Sequence, residues 1–359
     1  MFFTIDDKKF SYDLQLDSTH TIIKSYNKKY TVEYNNNKLK EIIIETYKSG
    51  DFVFIDKNVF NIDNTCLNTI ENQKIIFFDA TEENKTMESV LNITDCLIQN
   101  NFNKKNKLIV IGGGITQDVG GFASAIYKRG ISWTLIPTTF LSITDSAIGG
   151  KVGVNRNSKN MLGVFMAPNK VIISSQFLSS LKEDDIISGL GEALKLCLIG
   201  GSHAFSEFNK YYMTADHMNI IKLSSSIKKS IIEYDELEKN ERRVLNYGHT
   251  FGHAIESATN YFIPHGIAVL YGMYIINKLF YDNKFSDINE LIYSMIPQKF
   301  KKNNIVYDTC ISHVLNDKKN NGDEICFIVL DEVGKTKIIF KKMVEINEKL
   351  HSIFYSLFN

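Results

Sequence analysis

His249 and His253 stand four residues apart in Asn246-Tyr247-Gly248-His249-Thr250-Phe251-Gly252-His253-Ala254-Ile255-Glu256, which puts both imidazoles on one helical face. A further imidazole, His265, lies beside Gly266 just before another helical pattern. Upstream, Glu192 interrupts the apolar run Gly189-Leu190-Gly191-Glu192-Ala193-Leu194-Lys195. One carboxylate with two or three imidazoles suits a divalent metal, because zinc takes nitrogen and oxygen ligands and can leave room for substrate oxygens. A metalloprotease does not fit, since Thr250 occupies the place where H-E-x-x-H carries its general base.

A second constellation is the strand-like run Ile109-Val110-Ile111 followed by Gly112-Gly113-Gly114, Asp118 and Gly120-Gly121. Glycines after a strand let the backbone approach a pyrophosphate and present N–H groups at a helix start. Tight helix–sheet packing would ask for the same glycines. Asp118, on the first turn of the next helix, suits a ribose or nicotinamide hydroxyl. Asp56, Glu82 and Lys85 also follow strand ends, where open α/β sheets bind ligands. The remaining polar set is Arg129, Lys151, Lys159, Asn160, Lys195, Lys228, Arg242, Lys318 and Lys319. Several are flanked by glycine, as in Gly149-Gly150-Lys151 and Arg129-Gly130. Taken singly, each lysine reads as a solvated surface residue. Converging, they bind a substrate with more than one negative group, such as a phosphate and a carboxylate. Asp145 then contacts substrate hydroxyls or metal-linked water.

Strands are expected at 30–34, 40–47, 52–55, 75–78, 107–111, 133–136 and 171–174, with a helix over 85–99 and a loop-and-hairpin region over 149–160. Strands alternating with helices imply a parallel sheet covered by helices. From about residue 182, apolar residues recur at helical spacing over 184–199, 202–213, 216–236, 249–259, 266–280 and 286–295. The strand-like stretches 324–330 and 335–340 pair around a turn at 331–334. An α/β domain over 1–180 and a mainly helical domain over 181–359 are therefore expected. The 359 residues hold 41 basic and 41 acidic side chains, and that balance argues against a nucleic-acid partner. Charged residues directly after Met1-Phe2-Phe3 imply no secretory leader, and no apolar window implies a membrane span. The scattered Cys66, Cys96, Cys197, Cys310 and Cys326 fit reduced thiols in a cytoplasmic protein.

The chain resembles the 3-dehydroquinate synthase family, within the sugar phosphate cyclases. The matching blocks run from Gly112-Gly113-Gly114 and Asp118-Val119-Gly120-Gly121-Phe122 through Arg129-Gly130, Pro137-Thr138-Thr139, Asp145-Ser146, Gly149-Gly150-Lys151 and Lys159-Asn160-Met161-Leu162-Gly163. They continue with Gly189 to Lys195, Asn246 to Glu256, His265-Gly266 and Asp317-Lys318-Lys319. The resemblance implies a Rossmann-like α/β domain, a helical domain, and an active site in the cleft between them. It implies NAD, one divalent ion (zinc or cobalt) and a homodimer. By resemblance, Glu192, His249 and His265 are the metal ligands, and His253 contacts the substrate phosphate and handles protons. Lys151, Asn160, Lys195, Lys228, Arg242, Asn246 and Lys319 form the substrate shell. Arg129 resembles an arginine that reaches a neighbouring subunit's site. Asp56, Glu82, Lys85, Gly113, Gly114, Asp118, Thr138 and Thr139 look like NAD contacts, joined by Asp145, Lys151 and Lys159.

The implied reaction converts 3-deoxy-D-arabino-heptulosonate 7-phosphate to 3-dehydroquinate. A transient ketone acidifies its neighbouring carbon, phosphate leaves by β-elimination, the hydride returns, and ring opening precedes an aldol closure. NAD is then regenerated, and the departing phosphate can itself take the proton. Two residues depart from the family pattern. Ile267 stands where a glutamate commonly follows the metal His-Gly pair, and Gly191 where an alanine commonly precedes the metal glutamate. Ile267 could remove an outer hydrogen bond that tunes the metal, or mark a sister cyclase making an inosose, valiolone or amino-dehydroquinate. Arg242, Asn246 and Lys319 favour a carboxylate-bearing substrate. A polyol dehydrogenase, which releases NADH stoichiometrically, and a noncatalytic binding protein are the readings from other classes.

Overall fold

The computed structural model describes residues 1–301, 305–316 and 320–358. The chain opens with a hairpin of β1 (Phe2–Ile5) and β2 (Lys8–Ser11), which buries Phe3, Ile5 and Phe10. Gln15–Leu181 then form one unit. Its seven-stranded sheet contains β3 (His20–Lys24), β4 (Lys29–Asn35), β5 (Phe52–Asp56), β6 (Ile75–Phe78), β7 (Lys107–Gly112) and β8 (Ser132–Pro137). After the separate hairpin β9 (Lys151–Arg156) and β10 (Ser158–Phe165), β11 (Lys170–Ser174) completes it. The order is β3-β4-β11-β8-β7-β5-β6, and every neighbouring pair except β3–β4 is parallel. Phe52 to Ile55 and Leu108 to Ile111 are buried throughout, because a parallel sheet is covered on both faces.

Helices α1 (Leu39–Thr46), α2 (Lys57–Ile62), α3 (Met87–Gln99) and α4 (Gly114–Ile126) connect these strands. α3 starts where the Thr86 hydroxyl accepts the Ser89 N–H at 3.2 Å, and it buries Val90, Ile93, Thr94 and Leu97. Leu39, Ile42 and Ile43 of α1 pack with Val53, Ile55, Ile109, Ile111, Ile136 and Ile172 of the sheet. The parallel arrangement brings the carboxyl ends of β5, β7 and β8 to one edge, which sets Asp56, Gly113 and Thr138 together there.

The other unit comprises Met1–Leu14 and the chain from Lys182. It contains α5 (Glu183–Gly200), α6 (Ser202–Met213), α7 (His217–Ile232), α8 (His249–Ala258), α9 (His265–Tyr281), α10 (Ser286–Met295) and α11 (Tyr307–Leu315). β12 (Glu324–Glu332), β13 (Lys335–Lys342) and α12 (Met343–Phe358) follow. Gly266 to Met273 are all buried, so α9 is central and packs against both α5 and α8. Among the described residues no helix is long and apolar enough to cross a membrane.

Three expectations change. The strand read at 40–47 is helix α1. Consecutive isoleucines favour a strand locally, but Leu39, Ile42, Ile43 and Thr46 recur at helical spacing and are the buried ones, leaving Ile44 61% exposed. The sequence places residues 1–14 in the first domain, whereas they belong to the unit that holds the C-terminal helices. The cause is a parallel pairing of β1 with β13, in the register Thr4↔Lys335 and Ile5↔Thr336, which completes the sheet β12-β13-β1-β2. Helices α11 and α12 are additional; they bury Cys310, Ile311 and Val314, and Ile346, Leu350, Phe354 and Leu357. Deleting residues 1–14 is expected to strip amide-exchange protection from β12 and β13 while β7 and β8 keep theirs. Unchanged protection in β13 would show that the β1 pairing contributes nothing to that sheet.

Candidate functional site

Glu192 lies in mid-α5 with no solvent exposure. Its Oε2 pairs with Lys195, one helical turn along and itself 1% exposed. Its Oε1 receives no hydrogen bond. That oxygen instead faces His249 Nε2 at 3.6 Å and His265 Nε2 at 3.4 Å. Donor atoms bound to a tetrahedral zinc ion at ~2.0–2.1 Å stand roughly 3.3 Å apart, so this spacing suits an ion at their centre. The far nitrogens are tied down. His265 Nδ1 meets Glu256 Oε2 at 2.8 Å and His249 Nδ1 meets the Tyr247 carbonyl at 3.2 Å, which turns both Nε2 atoms toward Glu192. Burial opposes a charge on His265, but Glu256 and Glu192 outweigh it, and its pKa is pushed up to about 10. Without a metal, a protonated His265 therefore places one positive charge between Glu256 and Glu192. Burial pushes the Cys66 thiol up to about 11 and that of Cys310 up to about 12, which disfavours their thiolates.

Backbone contact between helices fixes this geometry. A Cβ on Gly191 would stand 2.5 Å from the Gly266 carbonyl oxygen, and one on Gly266 would stand 1.8 Å from that of Ser188. The residues beside Glu192 and His265 therefore press α5 and α9 together at their main chains. The glycine that departs from the family's usual alanine occupies that contact. The other departure, Ile267, is fully buried, and His265 draws its outer carboxylate from Glu256. Ile267 thus leaves the hydrogen bond of His265 to Glu256 in place.

The same unit holds His253, exposed, with its ring centroid 5.1 Å from that of His249 and 5.6 Å from that of His265. Ligand atoms of the three imidazoles lie within 4.8 Å of one another. Lys228 on α7 is 4% exposed and Arg242 3%. The loop carrying Arg242 is organised by Asp235, whose carboxylate accepts N–H bonds from Lys239 at 2.9 Å, Asn240 at 2.8 Å and Arg242 at 3.1 Å. Burial works to raise the Asp235 pKa, but these donors and the Arg242 charge hold it below the ordinary carboxylate value. The Arg242 guanidinium donates to the Glu236 carbonyl, and Asn246 Nδ2 donates to Glu238 at 3.0 Å. Asp317, Lys318 and Lys319 lie outside the described residues.

In Gln15–Leu181, Gly113 and Gly114 form the start of α4, where the first N–H groups of a helix have no partner within it and can take an anion. Packing explains the later glycines. A Cβ on Gly120 would stand 2.7 Å from Val110, and one on Gly121 would stand 2.5 Å from Val152. Asp56 ends β5 and caps α2 by accepting the Asn58 N–H at 2.8 Å; burial raises its pKa. Lys85, 4% exposed, meets Asp118 at 2.5 Å and donates to Asn160 at 2.6 Å. Burial raises Asp118 above the ordinary value against the opposing pull of Lys85. Glu82 accepts from Asn155 Nδ2 at 2.8 Å. Thr138 is buried and donates its N–H to the Gly112 carbonyl at 3.1 Å, while Thr139 bonds Ser142. Asp145 sits in a π-helical turn, Ser142–Ser146, which the Gln117–Ser146 side-chain bond at 2.9 Å ties to α4. Lys151, Lys159 and Arg129 are exposed, and Arg129 has a left-handed backbone with φ 60°. Motif reading assigned no part to Asp235, Gln117 or Asn155, because single polar residues in turns carry no periodic signal.

A parallel sheet with acidic groups at its strand ends and a glycine-opened helix, on one chain with a carboxylate–imidazole centre, is the equipment of a nucleotide- and metal-dependent enzyme. The chain shares its fold with a solved 2-deoxy-scyllo-inosose synthase complexed with carbaglucose-6-phosphate, NAD+ and Co2+; the TM-score is 0.79 at 23% identity, covering 93% of this chain and 100% of that one. It also shares it with the 2-epi-5-epi-valiolone synthase of Streptomyces hygroscopicus bound to NAD+ and Zn2+, with TM-score 0.75 at 20% identity over 91% and 97%. The N-terminal model of 3-dehydroquinate synthase matches residues 74–188 and the C-terminal model residues 189–320. The 3-dehydroquinate synthase of Pelagibacter ubique is 35% identical over 92% of this chain and 96% of its own length. That of Streptococcus pyogenes serotype M5 is 34% identical over 88% and 93%. The chain belongs to the 3-dehydroquinate synthase family.

Two outcomes follow from the centre's geometry. Zinc titrated into metal-free protein at pH 8 is expected to displace about one proton from the His265 site. The dependence of binding enthalpy on buffer ionisation reads this directly, and a proton-independent enthalpy would mean His265 is already neutral. Gly191→Ala is expected to push α9 off α5 and to weaken zinc binding by about tenfold, as outer-contact changes at metal sites do. Competition with a fluorescent chelator measures it, and an unaltered Kd would show that the contact does not govern the ligand spacing.

Proposed function

We infer that this protein is a 3-dehydroquinate synthase, acting on 3-deoxy-D-arabino-heptulosonate 7-phosphate to release phosphate and 3-dehydroquinate. The observation that carries the reading is the Glu192 oxygen that accepts no hydrogen bond and faces two anchored imidazoles, in a chain 35% identical to a relative of that name over 92% of its length. The reaction is a transient oxidation, β-elimination of phosphate, re-reduction, ring opening and intramolecular aldol closure. It belongs to the shikimate route to aromatic amino acids.

Glu192, His249 and His265 hold the divalent ion, zinc or cobalt, and the strand-end set Asp56, Glu82, Lys85, Gly113, Gly114, Asp118, Thr138 and Thr139 holds NAD, with Asp145, Lys151 and Lys159. When bound, the nucleotide supplies a reversible hydride acceptor and the ion a Lewis acid beside the reacting alcohol. His253, exposed next to the ligand imidazoles, meets the substrate phosphate and accepts or returns its proton. Lys195, Lys228, Arg242, Asn246, Lys319, Lys151 and Asn160 orient the carboxylate, hydroxyls and phosphate. Arg is suited to the carboxylate by its planar fork, and buried Lys228 and Lys195 to single oxygens. The leaving phosphate takes the proton of the carbon beside the transient ketone as its C–O bond breaks, so these residues position groups and shield charge rather than provide a strong base. Arg129 contributes to the site of a second copy in a cytoplasmic homodimer.

Incubation with the heptulosonate phosphate, NAD and zinc is expected to release phosphate and 3-dehydroquinate in equal amounts with no net NADH, followed by a phosphate assay and absorbance at 340 nm. Stoichiometric NADH would identify a polyol dehydrogenase. Inertness toward this substrate with cyclisation of a neutral sugar phosphate would move the assignment to a sister cyclase.

A further inference from the structure

Within Gln15–Leu181, one uncharged side chain joins the two kinds of ligand-facing group. Asn155, on β9, donates from Nδ2 to Glu82 Oε1 at 2.8 Å and to the Glu82 carbonyl at 3.3 Å. Its Oδ1 accepts the Asn160 N–H at 2.9 Å, and its own N–H donates to the Lys85 carbonyl at 2.8 Å. Asn160 holds a left-handed backbone, φ 53°, and its Oδ1 accepts from Lys85 Nζ at 2.6 Å. Lys85 also pairs with Asp118 at 2.5 Å, and Asp118 Oδ1 accepts the Gly153 N–H of β9 at 3.2 Å. The contacts close a ring through Asn155, Asn160 and Lys85, to which Glu82 is joined at Asn155, and Asp118 with Gly153 at Lys85. On the reading above, Glu82, Lys85 and Asp118 face NAD and Asn160 faces the sugar phosphate.

We propose that Asn155 is a positioning residue that holds the nucleotide-facing loop and the substrate-facing hairpin turn in one register. The proposal rests on the assigned function of those four neighbours. Asn155 uses both ends of its amide at once. Its donor end places the Glu82 carboxylate, and its acceptor end holds Asn160 in a left-handed conformation that few residues other than glycine and asparagine adopt readily. Remove the amide, and Glu82 and Asn160 each lose their orienting bond while the reacting groups stay intact. The effect therefore falls on binding rather than on the chemical step.

Asn155→Ala is expected to raise the Kd for NAD and the KM for the heptulosonate phosphate each by about tenfold, with kcat changed by less than about threefold. Asn155→Asp keeps the acceptor for Asn160 and sets a carboxylate against Glu82. It is expected to weaken NAD binding as strongly as the alanine variant while leaving KM within about twofold of wild type. NAD affinity is measured calorimetrically on the metal-loaded enzyme, and thermal melting verifies that each variant is folded. Unchanged Kd and KM in Asn155→Ala overturn the proposal, as do equal losses of both in the two variants. Should Asn155→Ala fail to fold, the Kd-against-KM split of Asn155→Asp decides alone. If wild-type enzyme binds NAD but makes no 3-dehydroquinate, the functional reading fails, while the Kd comparison still judges the Glu82 half.

Discussion

Glu192 places a carboxyl group where no solvent reaches it, and the helical unit is arranged around satisfying that group. Burying such a group without partners costs on the order of several kcal/mol. One oxygen is answered from within the same helix by Lys195. The other is left to face two imidazoles that are aimed by Glu256 and by the Tyr247 carbonyl. The alternation of negative and positive groups from Lys195 through Glu192 and His265 to Glu256 is favourable only while the helices stay at backbone contact. Glycine adjoins each of these functional residues, in Gly191-Glu192, Gly248-His249, Gly252-His253 and His265-Gly266. Gly191, Gly252 and Gly266 lie within α5, α8 and α9 and answer their close approach, whereas Gly248 is the left-handed residue, φ 79°, that opens α8.

The unit Gln15–Leu181 meets the same physical problem by different means. Lys85 and Asp118 form a largely buried pair whose remaining hydrogen-bonding capacity is taken up by Asn160 and by the β9 backbone. Here the polar groups come from the segment between β6 and α3, from helix α4 and from a hairpin, and a side-chain amide shares in satisfying the charged pair. A site for a nucleotide needs donors and acceptors over an extended surface, whereas a metal needs a few atoms converging on a point.

Much of this was legible in the amino-acid sequence where periodicity or a dense motif carried it. The strands 52–55, 75–78 and 107–111 and the helix 202–213 are read off apolar spacing, and the gathering of Glu192 with His249, His253 and His265 off residue type, while the choice of ligands among them comes only from the family resemblance. Helix α1 was misread because three isoleucines carry local β-preference, and only the sheet beneath shows which of them is buried. The place of residues 1–14 depends on a pairing with β13 across 332 positions of chain, which no local window contains. Asn155 gives no signal of its own: it is one polar residue among Asn, Arg and Ser, and its significance appears only once Glu82 and Asn160 are brought to its two ends. The orientation of Arg242 is equally hidden, because it depends on Asp235 gathering three N–H groups of one turn.

The parallel pairing of β1 with β13 has a consequence for how the chain is made. During synthesis the β1–β2 hairpin leaves the ribosome 332 residues ahead of the strand it pairs with. Gln15–Leu181, by contrast, are contiguous and can fold as soon as they emerge. The hairpin therefore waits through most of translation with an open edge and with Phe3, Ile5 and Phe10 lacking their final cover. Asp6 and Asp7 at its turn, with Lys8 and Lys9 at the start of β2, place charges of both signs on the waiting hairpin, the means by which natural proteins keep unpaired strands from joining the wrong neighbour.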